Sequence, residues 1–172
     1  MILGSLSKTY SMTGWRAGYA LAAKPLVANL SKLQSQSTSN ASSIVQKAAI
    51  AALAGSQECV SEFRAEFIDL RDYMLSKLTA IPGVTCTKPE GAFYVYPNIS
   101  AFIGRGGIRS ATELATRLLH EAHVVTVPGE AFGTGEHIRL SYPVTKQNID
   151  EGTRRMADFL TGLAQIRASR PI

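Results

Sequence analysis

Apolar residues recur along this chain in two rhythms, and the architecture changes where one gives way to the other. Leu26, Val27, Leu30 and Leu33 follow Pro25 at helical spacing, and proline suits a first helical turn. Ile44, Val45, Ala48, Ala49, Ala52 and Leu53 form a narrow apolar face, capped by Ala41-Ser42-Ser43 and ended by Gly55; the polar stretch Gln34 to Asn40 separates it from the helix before. From Ser56 a third helix carries Val60, Phe63, Phe67, Leu70, Tyr73, Met74 and Leu78 inward until Pro82-Gly83 stops it. That helix is long for a globular protein and suits a bridge between two domains, with the boundary expected near residue 72.

After Pro82-Gly83 alternation takes over. Residues 84–88 and 92–97 predict two strands about a Pro89-Glu90-Gly91 turn. Ser110 caps a helix that runs through Ala122 with Leu114, Leu118 and Leu119 facing inward, and residues 124–127 read as a short strand closed by Pro128-Gly129. Residues 137–142 predict a strand with Arg139 and Ser141 on one face and Ile138 and Leu140 on the other. A last helix over 146–166 turns Ile149, Met156, Phe159, Leu160 and Leu163 towards the core. At the start, Ile2-Leu3-Gly4 reads as the tail of a buried strand, residues 5–15 as a loop and residues 16–22 as a second strand. Helices followed by strands mixed with helices make an α/β or α+β layout.

Composition changes this picture little. The net charge of +5 invites a nucleic-acid reading, but the Lys and Arg residues are scattered, with Arg154-Arg155 their only adjacent pair, and aromatics do not interleave with them. A solvated basic surface, or an anionic cofactor or substrate, accounts for the charge without nucleic acid. Cys59 and Cys86 match no metal or redox spacing and read as reduced structural thiols. His120, His123 and His137 match no metal-ligand spacing, so no metal is expected. No apolar run reaches the length of a membrane span, which points to a soluble, cytoplasmic protein without a membrane partner.

The candidate chemistry lies near the start. Lys8 sits among Ser5, Ser7, Thr9, Ser11 and Thr13, with Gly14 and Gly18 permitting close backbone approach and Arg16 offering a planar fork for phosphate oxygens. An ammonium is costly to bury without a partner, whereas a neutral lysine amine is a nucleophile towards aldehydes. A functional-looking stretch this close to residue 1 suggests the carboxy-terminal part of something longer. Taken singly, Lys8 also fits a surface turn, and Arg16 and Arg139 also fit structural ion pairs.

Ser5-Leu6-Ser7-Lys8 followed by Gly14-Trp15-Arg16-Ala17-Gly18-Tyr19 resembles the cofactor-lysine signature of class I/II aminotransferases, pyridoxal phosphate enzymes of fold type I. The resemblance is to the bacterial aspartate and prephenate aminotransferase branch. Gln36-Ser37-Thr38-Ser39-Asn40, Glu90-Gly91-Ala92-Phe93-Tyr94, and Val127-Pro128-Gly129-Glu130-Ala131-Phe132-Gly133 leading to His137-Ile138-Arg139-Leu140-Ser141 agree with it in order and spacing. It implies an α/β chain that holds the end of the large cofactor-binding domain, residues 1–72, and an α+β small domain, residues 73–172. Upstream cofactor contacts of the family are then not placed in this sequence.

The resemblance also implies roles. Lys8 is similar to the lysine that forms a Schiff base with pyridoxal 5'-phosphate and then moves a proton at the substrate. Ser5 and Arg16 look like phosphate ligands, Arg139 like the clamp on the substrate α-carboxylate, and Phe93 with nearby Tyr94 like residues that close over the substrate. Read from the strand pattern alone, Phe93, Tyr94 and Tyr96 are packing residues. The implied protein is a homodimeric aminotransferase that exchanges an amino group between an amino acid, aspartate among the candidates, and a 2-oxo acid. A lyase or decarboxylase on the same fold, or a non-catalytic fragment, stands beside that reading.

Overall fold

The first two strands, β1 (Ile2–Ser5) and β2 (Gly18–Leu21), pair antiparallel, with Gly4 opposite Tyr19 and Ser5 opposite Gly18. In this computed structural model, which describes residues 1–166, the chain divides into two compact units, Met1–Arg64 and the residues from Ala65 onward. Between β1 and β2 lie a single helical turn, α1 (Leu6–Thr9), and a 3₁₀ turn over Thr13–Trp15. Leu6 N–H donates to the Ala17 carbonyl at 3.2 Å and closes this loop onto its own base. Helix α2 (Lys24–Ser37) starts with Pro25 in its first turn, and α3 (Ser43–Ala54) ends where Gly55 N–H donates to the Ala51 carbonyl at 2.9 Å.

Three expectations for this first unit change. The initial strand forms, but its side chains are exposed, Ile2 at 64% and Leu3 at 70%, because nothing within the unit covers a face of the two-stranded ribbon. Arg16 is not in the second strand; it takes a left-handed conformation, φ 53°, at the end of the 3₁₀ turn. The strand starts at Gly18, where a Cβ would lie 2.8 Å from the Gly4 carbonyl oxygen, so the ribbon closes on a residue with no side chain. The polar stretch after Leu33 continues α2 to Ser37 instead of interrupting it, and the left-handed Ser39 follows its end.

Helix α4 (Glu58–Thr79) contains the division between the units and turns Leu70, Met74, Leu75 and Leu78 into the second unit's core. That unit holds a three-stranded antiparallel sheet in the order β3 (Tyr94–Val95), β5 (Ile138–Ser141), β4 (Val127–Pro128). Helices α5 (Ala111–Ala122) and α6 (Lys146–Ile166) complete it. Ser110 caps α5 by accepting from Glu113 N–H at 3.1 Å, and the Glu113 carboxylate accepts from Arg109 N–H at 2.9 Å, so donors left open by the helix start are satisfied locally. One apolar core joins Leu78 of α4, Val95 of β3, Leu114 and Leu118 of α5, Ile138 of β5, and Met156 and Leu160 of α6.

Long-range contacts shorten the expected strands. Residues 84–88 supply only a bridge between Thr85 and Asn98. Beyond it the segment is held on α4, where Arg71 donates to the Pro89 carbonyl at 3.1 Å and Lys88 pairs with Asp72 at 3.0 Å. The strand expected over 92–97 pairs regularly only at Tyr94–Val95. The strand expected over 124–127 begins at Val127, because Val124 N–H is spent on the Leu118 carbonyl at 3.0 Å, after the left-handed His123 that ends α5. Leu119 does not face inward but is 44% exposed; at about 100° per residue it lies off the stripe made by Leu114, Leu118 and Ala122.

No helix of the described residues is long and apolar enough to cross a membrane. The α5 stripe makes a direct prediction for stability. Leu118→Ala empties a fully buried site and should lower the unfolding free energy by about 2–5 kcal/mol in urea denaturation. Leu119→Ala, one residue on, should change it by no more than about 0.5 kcal/mol.

Candidate active site

Ser5 ends β1, and Lys8 and Arg16 lie on the loop between β1 and β2. Its anchor is Leu6, 2% exposed and the only buried side chain among the described residues of the first unit. Ser5 caps α1 by accepting from Ser7 N–H at 3.1 Å, which leaves its hydroxyl proton available to another acceptor. Thr13 hydroxyl donates to the Ser7 carbonyl at 3.1 Å, so this hydroxyl stitches the loop rather than facing outward as a donor. Arg16 Nη1 donates to the Thr13 carbonyl at 3.1 Å, and its other N–H groups have no partner among the described residues. Lys8, in the last turn of α1, is exposed.

This donor set fits a phosphate-bearing aldehyde. A guanidinium with spare N–H groups and a hydroxyl with a spare proton suit phosphate oxygens, and a lysine amine in the same loop suits the carbonyl. The left-handed Arg16 contributes to the fit. A residue with a Cβ is uncommon at positive φ, and here the turn and the Thr13 carbonyl over-determine it.

Arg139 and Phe93 lie in the second unit. Along β5 the pleat alternates: Ile138 and Leu140 enter the core, whereas Arg139 and Ser141 stand on the other face. Val127 of β4 is opposite Arg139, and Tyr94 of β3 is opposite Ser141. The Arg139 guanidinium carbon is 4.1 Å from the centre of the Tyr94 ring and 4.6 Å from that of Phe132. Arg139 makes no hydrogen bond or ion pair with a described residue, so its N–H groups are unpaired while two aromatic rings lie within cation–π distance of it. Phe93 is half-buried against the core, its ring 4.5 Å from that of Tyr94 and its carbonyl accepting from Tyr142 N–H at 3.2 Å. Before it, the left-handed Ala92 is held by a hydrogen bond of 2.6 Å from the Tyr142 hydroxyl to its carbonyl; burial pushes that tyrosine's pKa up.

Further rings extend from Arg139. Tyr96 meets Phe132 edge-on at 6.0 Å and stacks on His137 at 4.8 Å, and its hydroxyl reaches the Gly129 carbonyl and Thr134. Phe132, which composition did not single out, ends a 3₁₀ turn over Gly129–Phe132. Its place beside Arg139 comes from that turn following β4; the signal in the sequence was the Val127–Phe132 spacing against the alternation of 137–142. Tyr96, His137, Thr85, Cys86, Thr87 and Asn98 line a neighbouring cleft of about 330 Å³, in which burial pushes the Cys86 thiol up and away from thiolate chemistry. No group of three metal-ligating side chains occurs among the described residues.

The profile of the family described as aminotransferase class I and II matches residues 1–156. The chain belongs to that family. An aspartate aminotransferase of Geobacillus stearothermophilus is 42% identical to it over 164 residues, 95% of this chain and 42% of that protein. An aspartate/prephenate aminotransferase of Cereibacter sphaeroides is 44% identical over 164 residues, 92% of this chain and 41% of that protein. The crystal structure of the aspartate aminotransferase from Rhizobium meliloti superposes with a TM-score of 0.89 at 37% identity, covering 92% of this chain and 41% of that one. This aminotransferase chain thus spans about two fifths of the length of the relatives it matches. Its fold is accordingly that of the fold type I aminotransferases.

Gly129 sets the position of the turn that carries Phe132. It is buried, its N–H donates to the His137 carbonyl at 2.8 Å, and a Cβ there would lie 2.3 Å from the Thr134 carbonyl oxygen and 2.5 Å from that of His137. Both obstacles are backbone, which cannot swing aside. Gly129→Ala should therefore cost about 1–3 kcal/mol of stability by chemical denaturation.

Proposed function

We propose that this chain is part of a pyridoxal-phosphate-dependent aminotransferase that transfers an amino group between an L-amino acid, with aspartate as the first candidate, and a 2-oxo acid. The observation that carries the reading is Arg139, a guanidinium over two aromatic rings with its N–H donors unpaired, the form suited to a carboxylate. Family membership and the names of the relatives support the reaction class. The activity is that of a protein longer than the matched span, a homodimer of the cytoplasm, in which residues 1–72 end the large domain and residues 73–172 form the small one.

In this reading Arg16 and Ser5 hold the phosphate, the first by charge-assisted N–H donation and the second through its hydroxyl. Lys8 is the residue that would hold the cofactor through its carbonyl when no substrate is present. When substrate is bound, its amine takes the proton from Cα and returns it on the other side of the exchange. Arg139 grips the α-carboxylate with two parallel N–H···O bonds, fixing the direction of the Cα–H bond. Phe93, next to Tyr94 at the edge of the same sheet, closes over the substrate. Pyridoxal phosphate, when bound, supplies the electron sink that stabilises charge developing at Cα.

Two measurements test this. Reduction of the full-length holoenzyme with borohydride should leave the pyridoxyl group on the peptide containing Lys8; a label elsewhere, or none, refutes the role of that lysine. Arg139→Lys should lower kcat/KM with L-aspartate and 2-oxoglutarate by about 10- to 100-fold, the loss expected when a bidentate charged pair becomes a single one. An unchanged kcat/KM would exclude Arg139 as the carboxylate anchor.

A further inference from the structure

Arginine is a flexible side chain, and a fork that must meet a carboxylate in one plane gains from being held before the substrate arrives. On this sheet the holding is done by rings rather than by ion pairs. The Arg139 guanidinium carbon lies over the Tyr94 ring, 4.1 Å from its centre, and over the Phe132 ring, 4.6 Å from its centre, both within the range of cation–π attraction. A carboxylate partner would compete with the substrate for the same N–H groups. An aromatic face attracts the cation and leaves those groups unoccupied.

Each ring is itself braced. Tyr94 is fixed by the β3–β5 register and by the Phe93 ring at 4.5 Å. Phe132 is met edge-on by Tyr96, which is pinned by its hydroxyl to Gly129 and by its stack on His137. The turn carrying Phe132 is tied to the start of α5, where the Glu130 carboxylate accepts from Thr112 N–H at 3.2 Å. It is tied to β5 as well, through Gly129 N–H on the His137 carbonyl at 2.8 Å. The bracing therefore runs through three elements and converges on one guanidinium.

We propose that Phe132 and Tyr94 are positioning residues for Arg139, holding its guanidinium against two rings while leaving its N–H groups open to the substrate carboxylate. The proposal rests on the reading of Arg139 as the carboxylate anchor. Pre-holding the fork favours capture of the carboxylate in ground and transition states alike, whereas the Cα–H direction is set by the two N–H···O bonds once they form, so the clamp should be visible mainly in KM.

The test is steady-state kinetics of the full-length holoenzyme with L-aspartate and 2-oxoglutarate. Phe132→Leu keeps apolar bulk and removes the ring; it should raise KM for both substrates by about 5- to 30-fold, with a smaller change in kcat. Tyr94→Leu is an independent second probe at the other ring and should act in the same direction. Restoring a ring, as Phe132→Tyr or Tyr94→Phe, should recover most of the lost affinity. The clamp is refuted if both leucine variants leave KM unchanged, if kcat falls at constant KM, or if the ring-retaining variants are as impaired as the leucine ones. These results are separable from failure of the underlying reading, because that failure would appear as an Arg139→Lys enzyme with unchanged kcat/KM.

Discussion

The register of β5 is the constraint on which the second unit depends. Side chains alternate across a strand, so pairing Leu140 with Val95 and Ile138 with Pro128 commits Ile138 and Leu140 to the core and Arg139 and Ser141 to the other face. A slip of one residue would bury a guanidinium among Val95, Leu114 and Leu118, at a cost no local contact offsets. The core thus enforces the placement of a residue that is not in it. The same alternation on β3 and just beyond sets Tyr94 and Tyr96 apart from the buried Val95.

The first unit is held differently. Apart from Leu6 it has no buried side chain among its described residues, and Leu33, Ile44, Ile50 and Leu53 are largely exposed. Its geometry comes from short-range backbone hydrogen bonds: the Ala17 carbonyl closes the loop, and the Thr13 hydroxyl and the Arg16 guanidinium tie its turns. Such a loop defines where Ser5, Lys8 and Arg16 stand relative to one another without a core behind them.

Most ion pairs among the described residues lie within four residues in sequence, but a few connect segments. Asp72 bonds to Arg71 and Lys88, and Asp150 to Lys77 and the Tyr73 hydroxyl, and these hydrogen bonds hold both carboxyl groups below the usual range. The pairs are solvent-exposed and individually worth little, but they join α4 to the segment before β3 and to α6.

The sequence by itself determined the helices of the second unit, the two-faced strand carrying Arg139 and the lysine loop, because each rests on spacing within a few residues: a stripe, an alternation, a run of hydroxyls around one amine. Tertiary structure decided what depends on distant partners. Residues 84–88 have the composition of a strand, yet only Thr85 bridges to another segment, while Lys88 and the following Pro89 are held on a helix by Asp72 and Arg71. Leu119 is as apolar as Leu118 but faces solvent, since the direction of the stripe is set by what α5 packs against. Phe132 stands within the stretch 127–133 that carries part of the resemblance, but only the turn after β4, fitted around a glycine that tolerates no Cβ, brings it to the guanidinium of Arg139. Local periodicity encodes which face a residue occupies, whereas its neighbour on that face is chosen by strand pairing and packing across long separations in sequence.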